Sequence, residues 1–274
     1  MSAKSRNLAV RTAVAAVAIP ALVYLFVRGG WWWTGFVEVL VLIAVWEMAG
    51  LFRRSERDFP VWIAVVLCPL PPVALLNGRV DLAVGWVLVV FFLMAWYAMR
   101  RPDPLSGRAD VLGWIAAAVY IGLGFAFFIG VRQMGSPVEG ARWLLFLFAD
   151  LWVADTFAML FGALWGKKKL APIVSPNKTV VGFWAGLVGG ALVGAVFSAG
   201  EWLPARPAVI VVGAVLLSVI GQLGDLYESL LKRRAQVKDI SSIIPGHGGV
   251  LDRFDSALFA APTLYLYLKL VIYR

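Results

Sequence analysis

Charged positions are sparse along most of this chain, and apolar residues run between them in long blocks. Residues 82–99, LAVGWVLVVFFLMAWYAM, hold no charge over eighteen positions. At that length a buried core helix gives way to a membrane span. Nine such blocks fall at roughly 8–27, 33–52, 60–76, 81–99, 111–131, 142–165, 180–199, 207–231 and 250–272. They predict an all-α, polytopic integral membrane protein with about nine transmembrane helices, residues 1–274 forming one membrane domain. The third block contains CPLPP, whose prolines must kink or end a helix. The first block follows Lys4, Arg6 and Arg11 and leads into VRGG and three tryptophans, with no clear small-x-small cleavage site. It is read as a retained span. In the seventh block Gly182, Gly186, Gly190 and Gly194 recur every four residues, on one helix face. So smooth a face admits another helix closely, and the expected neighbour belongs to the same chain.

Composition agrees with the pattern. The chain is 61% hydrophobic and 15% charged, whereas soluble domains run nearer about half apolar and a quarter charged. The net charge of +9 gains its meaning from where it lies. With nine alternating spans, one side of the membrane receives 17 Lys and Arg and the other receives 7, while Arg253 begins the last span. The rich side holds the clusters around Lys4, Arg53, Arg100, Lys167 and Lys232. Cytoplasmic loops are the Lys/Arg-rich ones, so the N-terminus is expected inside. The same charge faces the anionic cytoplasmic leaflet, making membrane lipid rather than nucleic acid the expected partner. The single Cys68 cannot form an intramolecular disulfide and reads as a small core residue.

The chain also divides by chemistry. In residues 1–140 charges lie mostly in loops, whereas in residues 141–274 acidic residues enter the spans. Asp150 and Asp155 lie inside the sixth block, Asp225 and Glu228 near the cytoplasmic end of the eighth, and Asp252 and Asp255 open the ninth. Carboxylates at membrane depth are costly and are functional candidates by default. Glu38 and Glu47 in the second block divide evenly between that reading and a buried structural one. The pairs 225/228 and 252/255 each have i, i+3 spacing and so share a helix face. Gathered carboxylates call for a cation, and without a Cys/His cluster that cation is hard, such as Mg²⁺. Asp252 and Asp255 also occupy a helix N-terminal turn, where the helix dipole alone suits negative charge.

Basic and glycine-rich loops flank these acids. The loops at 166–179 and 232–249 carry Lys167, Lys168, Lys169 and Lys178, then Lys232, Arg233, Arg234 and Lys238. Lys178 lies in SPNKT, where Ser175, Thr179 and backbone amides complete a phosphate cradle. PGHGG supplies Gly246, Gly248 and Gly249, which let backbone amides approach a ligand ahead of a helix N-terminus. His247, between two glycines, is a phosphate candidate. Acids for a cation beside bases and glycines for phosphate point to phosphoryl or nucleotidyl transfer. A cation-coupled transporter would use the intramembrane acids but leave the phosphate loops unexplained. A noncatalytic membrane scaffold also stays open.

Residues 229–255, SLLKRRAQVKDISSIIPGHGGVLDRFD, closely resemble the signature of the phosphatidate cytidylyltransferases, the CDP-diacylglycerol synthases. Ser229, Lys232, Arg233, Lys238, Asp239, Pro245, Gly246, His247, Gly248, Gly249, Asp252 and Arg253 stand at that signature's fixed positions. GDLYES at 224–229, SPNKT at 175–179 and Asp155 match further family positions. The resemblance implies transfer of the cytidylyl group of CTP to phosphatidate or a closely related lipid phosphate, giving CDP-diacylglycerol and pyrophosphate. It implies metal-binding roles for Asp225 and Asp252, helped by Asp255, Glu228 and Asp155, with Mg²⁺ and a second cation as cofactors. It implies catalytic roles for Lys178, Lys232, Lys238, Asp239, His247 and Arg253. It implies substrate contacts for Ser175, Asn177, Thr179, Arg233, Gly246, Gly248 and Gly249. The implied setting is a bacterial inner membrane with the site facing the cytoplasm, and a homodimer is compatible with it. The chain departs from the family at SPNKTVVG: Asn177 replaces a lysine and Val181 a glutamate. The CDP-alcohol phosphotransferases are excluded, since their Asp-Gly-x-x-Ala-Arg motif is absent.

Overall fold

The computed structural model describes residues 3–101 and 110–274, with side chains from Thr12 onward. The charges of Lys4, Arg6 and Arg11 thus lie outside the described side chains, and Arg108 lies outside the described residues. The protein is an all-α polytopic membrane protein. Among the described residues seven helices are long and apolar enough to span a bilayer: α2 (Gly30–Arg54), α5 (Val80–Met99), α6 (Val111–Arg132), α7 (Pro137–Trp165), α8 (Val180–Ala199), α9 (Pro207–Arg234) and α10 (Leu251–Tyr267) with its continuation to Ile272. At about 1.5 Å per residue, twenty residues match the hydrocarbon thickness of about 30 Å. Two shorter apolar stretches, Thr12–Arg28 within α1 (Ala3–Arg28) and Val61–Leu76, fall at the first and third expected spans.

Proline chemistry explains the third. It is two short helices, α3 (Val61–Leu67) and α4 (Leu70–Leu76), separated at Cys68 and Pro69. Pro69 lacks an N–H and its ring obstructs the preceding turn, so α3 stops. Pro71 and Pro72 then sit in the first turn of α4, where amides have no helical partner to lose. A second departure from the pattern lies in the loop expected at 166–179. β1 (Lys169–Ala171) and β2 (Ser175–Thr179) form an antiparallel hairpin, pairing Lys169 with Thr179 and Ala171 with Ser175 around an irregularity.

Two compact units form, each discontinuous in sequence. The first combines Met1–Ile129 with Leu231–Phe254, and the second combines Gly130–Leu230 with Asp255–Arg274. The core of the first is aromatic. Trp33 packs edge-on against Phe26 at 5.1 Å and Phe128 at 6.4 Å, and its indole N–H donates to the Phe128 carbonyl. Phe254, in the first turn of α10, packs on Phe125 and Phe128 at 5.7 and 6.0 Å. This anchors the start of α10 to α6.

The second unit is built on the glycine face of α8. A Cβ at Gly182 would lie 2.7 Å from the Ala158 carbonyl, at Gly186 3.2 Å from the Ala154 carbonyl, and at Gly190 2.8 Å from the Asp150 carboxylate. The four-residue step of the glycines therefore tracks a four-residue step of α7 running the other way. Gly194 meets α9 instead, at Val211 and Ala214. All these neighbours lie in the same chain, as the sequence pattern led us to expect. Tyr267 donates to the Val209 carbonyl at 2.8 Å, and Tyr273 joins Trp143 and Glu139.

Candidate active site

In the first unit the signature segment winds into a turn organised around Asp252. A hydrogen bond from the His247 N–H to the Ile244 carbonyl, 2.9 Å, closes Ile244-Pro245-Gly246-His247. Proline sets the second position and Gly246, at φ +73°, occupies the left-handed third, as a type II turn requires. The Ile244 N–H donates back to the Gly248 carbonyl at 2.9 Å. Gly248 has φ +84°, and a Cβ there would stand 2.9 Å from Asp252 Oδ2. Both conformation and space restrict that position to glycine.

Asp252 uses its whole carboxylate. Oδ1 accepts from Lys232 Nζ at 2.8 Å. Oδ2 accepts from the backbone amides of Ile240 at 2.9 Å and Gly249 at 2.8 Å. Its side chain is 2% exposed and that of Lys232 is 15% exposed. Removing one partner of so buried a pair leaves an uncompensated charge, which costs about 3–5 kcal/mol. Lys232, Asp252, Gly248 and Gly249 are thus brought together. Arg233, Lys238, Asp239 and Arg253 are exposed, and His247 is half-buried with Nδ1 3.3 Å from the Pro245 carbonyl.

A residue outside the signature holds this turn in place. Glu47 of α2 is 1% exposed. Its Oε1 accepts from the Val250 amide at 2.9 Å and the Ser241 hydroxyl at 2.6 Å, and its Oε2 accepts from the Leu251 amide at 2.8 Å. These amides begin α10, so Glu47 caps that helix from another helix about two hundred residues away. A side chain at Gly249 would run into Glu47, which accounts for the last glycine of PGHGG. A glutamate at membrane depth was the available signal. Its partners are backbone amides, which no spacing rule connects to it.

In the second unit the hairpin and α9 supply a second charged pair. Lys178 Nζ lies 2.5 Å from Asp225 Oδ2, with side chains 24% and 26% exposed. SPNKT and GDLYES, apart in sequence, therefore meet. Asp225 Oδ1 accepts only a long hydrogen bond from Ser229, 3.4 Å. Thr179 is buried, and its hydroxyl caps α8 by accepting from the Gly182 amide at 3.1 Å. Ser175 is half-buried and Asn177 exposed on the same strand. Glu228 is fully buried. Asp255 Oδ1 accepts from the Ser256 amide at 2.6 Å within its own helix. Asp155 is exposed on α7. Asp150 is buried and accepts from Ser218 at 3.1 Å.

These donor sets can be tested for a cation. Among the described residues no three His, Cys, Asp or Glu side chains gather as a metal cage. Mg²⁺ commonly dispenses with such cages, taking one or two carboxylates and filling its octahedron with substrate phosphates and water. Asp225 fits that mode, being a quarter exposed with one oxygen lightly engaged. Asp252, almost fully enclosed, fits it less well.

Residues 9–271 match the cytidylyltransferase family. The phosphatidate cytidylyltransferase of Staphylococcus epidermidis is 34% identical over 262 residues, covering 94% of this chain and 98% of the relative. That of Staphylococcus aureus is 35% identical over 269 residues, with the same coverage. That of Staphylococcus saprophyticus is 33% identical over 270 residues.

Proposed function

Because the chain belongs to the cytidylyltransferase family, we propose that it transfers the cytidylyl group of CTP to phosphatidate, releasing pyrophosphate and forming CDP-diacylglycerol. In this reading it works in a bacterial inner membrane, with its N-terminus and the segments 166–179 and 232–249 in the cytoplasm. A phosphate oxygen of the lipid bonds to the α-phosphorus of CTP as the bond to the β-phosphate oxygen breaks. A phosphate monoester is largely dianionic near neutral pH, its second pKa being about 6. The attacking oxygen therefore needs no strong base. What the protein must supply is alignment and relief of charge repulsion between two polyanions.

The Lys178–Asp225 pair is the observation that carries the reading. A partly exposed lysine and carboxylate holding each other is suited to exchange partners, the ammonium taking a nucleotide phosphate and the carboxylate its cation. Bound there, Mg²⁺ would neutralise charge developing on the phosphate oxygens and leaving pyrophosphate. Asn177 and Ser175 on the same strand offer further hydrogen bonds to the nucleotide. In the other unit, Asp252 acts as organiser. It fixes Lys232 and the amides of Ile240 and Gly249, and so sets the chain that presents Lys238, Asp239, His247, Arg233 and Arg253.

Two asparagine variants test this division of labour. Asp225→Asn opens a half-buried pair and should cost less stability than the loss of the more enclosed Lys232–Asp252 pair. Its pyrophosphate release should nevertheless fall about a hundredfold or more, and raising Mg²⁺ should recover part of it. Asp252→Asn should lose activity and thermal stability together. Near-normal turnover of Asp225→Asn at low Mg²⁺ would remove that residue from the site.

A further inference from the structure

We propose that the cavity at the C-terminal end of α2 receives the phosphate monoester head of the lipid acceptor, with Arg53, Arg54 and Lys238 as its anion contacts. The inference rests on the activity proposed above and specifies where one of its two substrates is held. The cavity lies wholly within the first unit, between the last turns of α2 and residues 237–242, and has a volume of about 760 Å³. Small-molecule sites typically span about 300–1,000 Å³.

Charge and hydrogen bonding favour an anion. Arg53, Arg54 and Lys238 line the cavity together with the carboxylates Glu47 and Asp239. Glu47 already faces three donors, the Ser241 hydroxyl and the amides of Val250 and Leu251. Asp239 is exposed, where solvent and salt weaken its repulsion. Arg54 makes a long contact to the Ile240 carbonyl, 3.5 Å. Two adjacent guanidinium forks suit a terminal phosphate with three free oxygens better than they suit a diester.

The wall distinguishes a lipid phosphate from a nucleotide phosphate. Trp46 lines the cavity and is 55% exposed on a membrane-spanning helix. Tryptophan rings settle at the headgroup level of a bilayer. Cations at one end and a membrane-level indole at the wall match an amphiphile with a charged head and apolar tails. CTP has no apolar tail.

The measurement uses the purified full-length chain in mixed micelles, varying the surface fraction of phosphatidate and the concentration of CTP separately. Arg53→Ala and Arg54→Ala should each raise the apparent KM for phosphatidate about tenfold or more, the loss of one charge-assisted contact. The KM for CTP should stay within about twofold. Arg53→Lys, which keeps the charge but loses the fork, should fall between wild type and Arg53→Ala. Arg57→Ala removes a like charge close by without lining the cavity, Arg57 being paired with Asp110. It should leave both KM values unchanged. A rise in the KM for CTP instead would assign the cavity to the nucleotide and overturn the inference. Unchanged values in both alanine variants, or an equal rise in Arg57→Ala, would reduce the arginines to cytoplasmic orientation signals. Absence of product from the wild type would instead overturn the activity itself, so the two failures are distinct.

Discussion

At the residue scale, the charged side chains divide into those that hold the protein together and those left accessible. Asp252, Lys232 and Glu47 are buried or nearly so and bind backbone amides or one another. Lys238, Arg253 and Asn177 are exposed. The sequence marked Asp252 as important but could not say which kind it was. A carboxylate that binds a metal and one that organises a turn have the same spacing, and the amides of Ile240 and Gly249 add to Asp252 an organising role that spacing does not reveal. Val181 poses the opposite case, a departure from the family pattern that puts an apolar side chain where an acid is expected. It is half-buried in the first turn of α8. Glutamate there would meet the positive end of the helix dipole, worth about 0.3–1 kcal/mol. Val181→Glu should therefore keep or raise both thermal stability and turnover of phosphatidate. A collapse of turnover in folded protein would show that the site has adapted around valine.

At the element scale, the long helices were legible because each carries a mainly apolar stretch of spanning length. The glycine face of α8 was legible because one residue type repeats with the helix. The hairpin was not. SPNKT contains proline and asparagine, poor strand formers. Its strand exists because it pairs with Lys169–Ala171 and leads directly into the Thr179 cap of α8. The cap that Glu47 places on α10 was equally hidden, since one partner is a side chain of α2 and the others are amides. Glu47→Gln tests its role as a positioning residue. Glutamine offers one acceptor oxygen, so its NH₂ group must face a donor, Val250 or Leu251. Leaving a buried amide unsatisfied costs about 1–3 kcal/mol. Hydrogen exchange across residues 241–251 should accelerate and turnover should fall about tenfold, while Glu47→Asp recovers part of both. Unchanged exchange with lost turnover would instead give Glu47 a direct role in the chemistry.

At the scale of the whole molecule, the expected bias of 17 Lys and Arg against 7 over nine alternating spans predicts how the chain is oriented. Segments 166–179 and 232–249 should both face the cytoplasm. Cys68 is buried, so a Cys68→Ala background with single cysteines at Ile173 or Ser242, both exposed, gives a clean readout. Each should react with an impermeant thiol reagent only from the cytoplasmic side, and reaction from the opposite side would reverse the topology.

The most direct test of the proposed activity follows the label of [α-³²P]CTP into lipid. The purified full-length chain, reconstituted with Mg²⁺, should move label into an organic-extractable nucleotide lipid only when phosphatidate is present, with one pyrophosphate released per label transferred. Phosphatidylglycerol, whose phosphate is already a diester, should not replace phosphatidate. Label that stays in the aqueous phase with phosphatidate and Mg²⁺ both supplied would contradict the account.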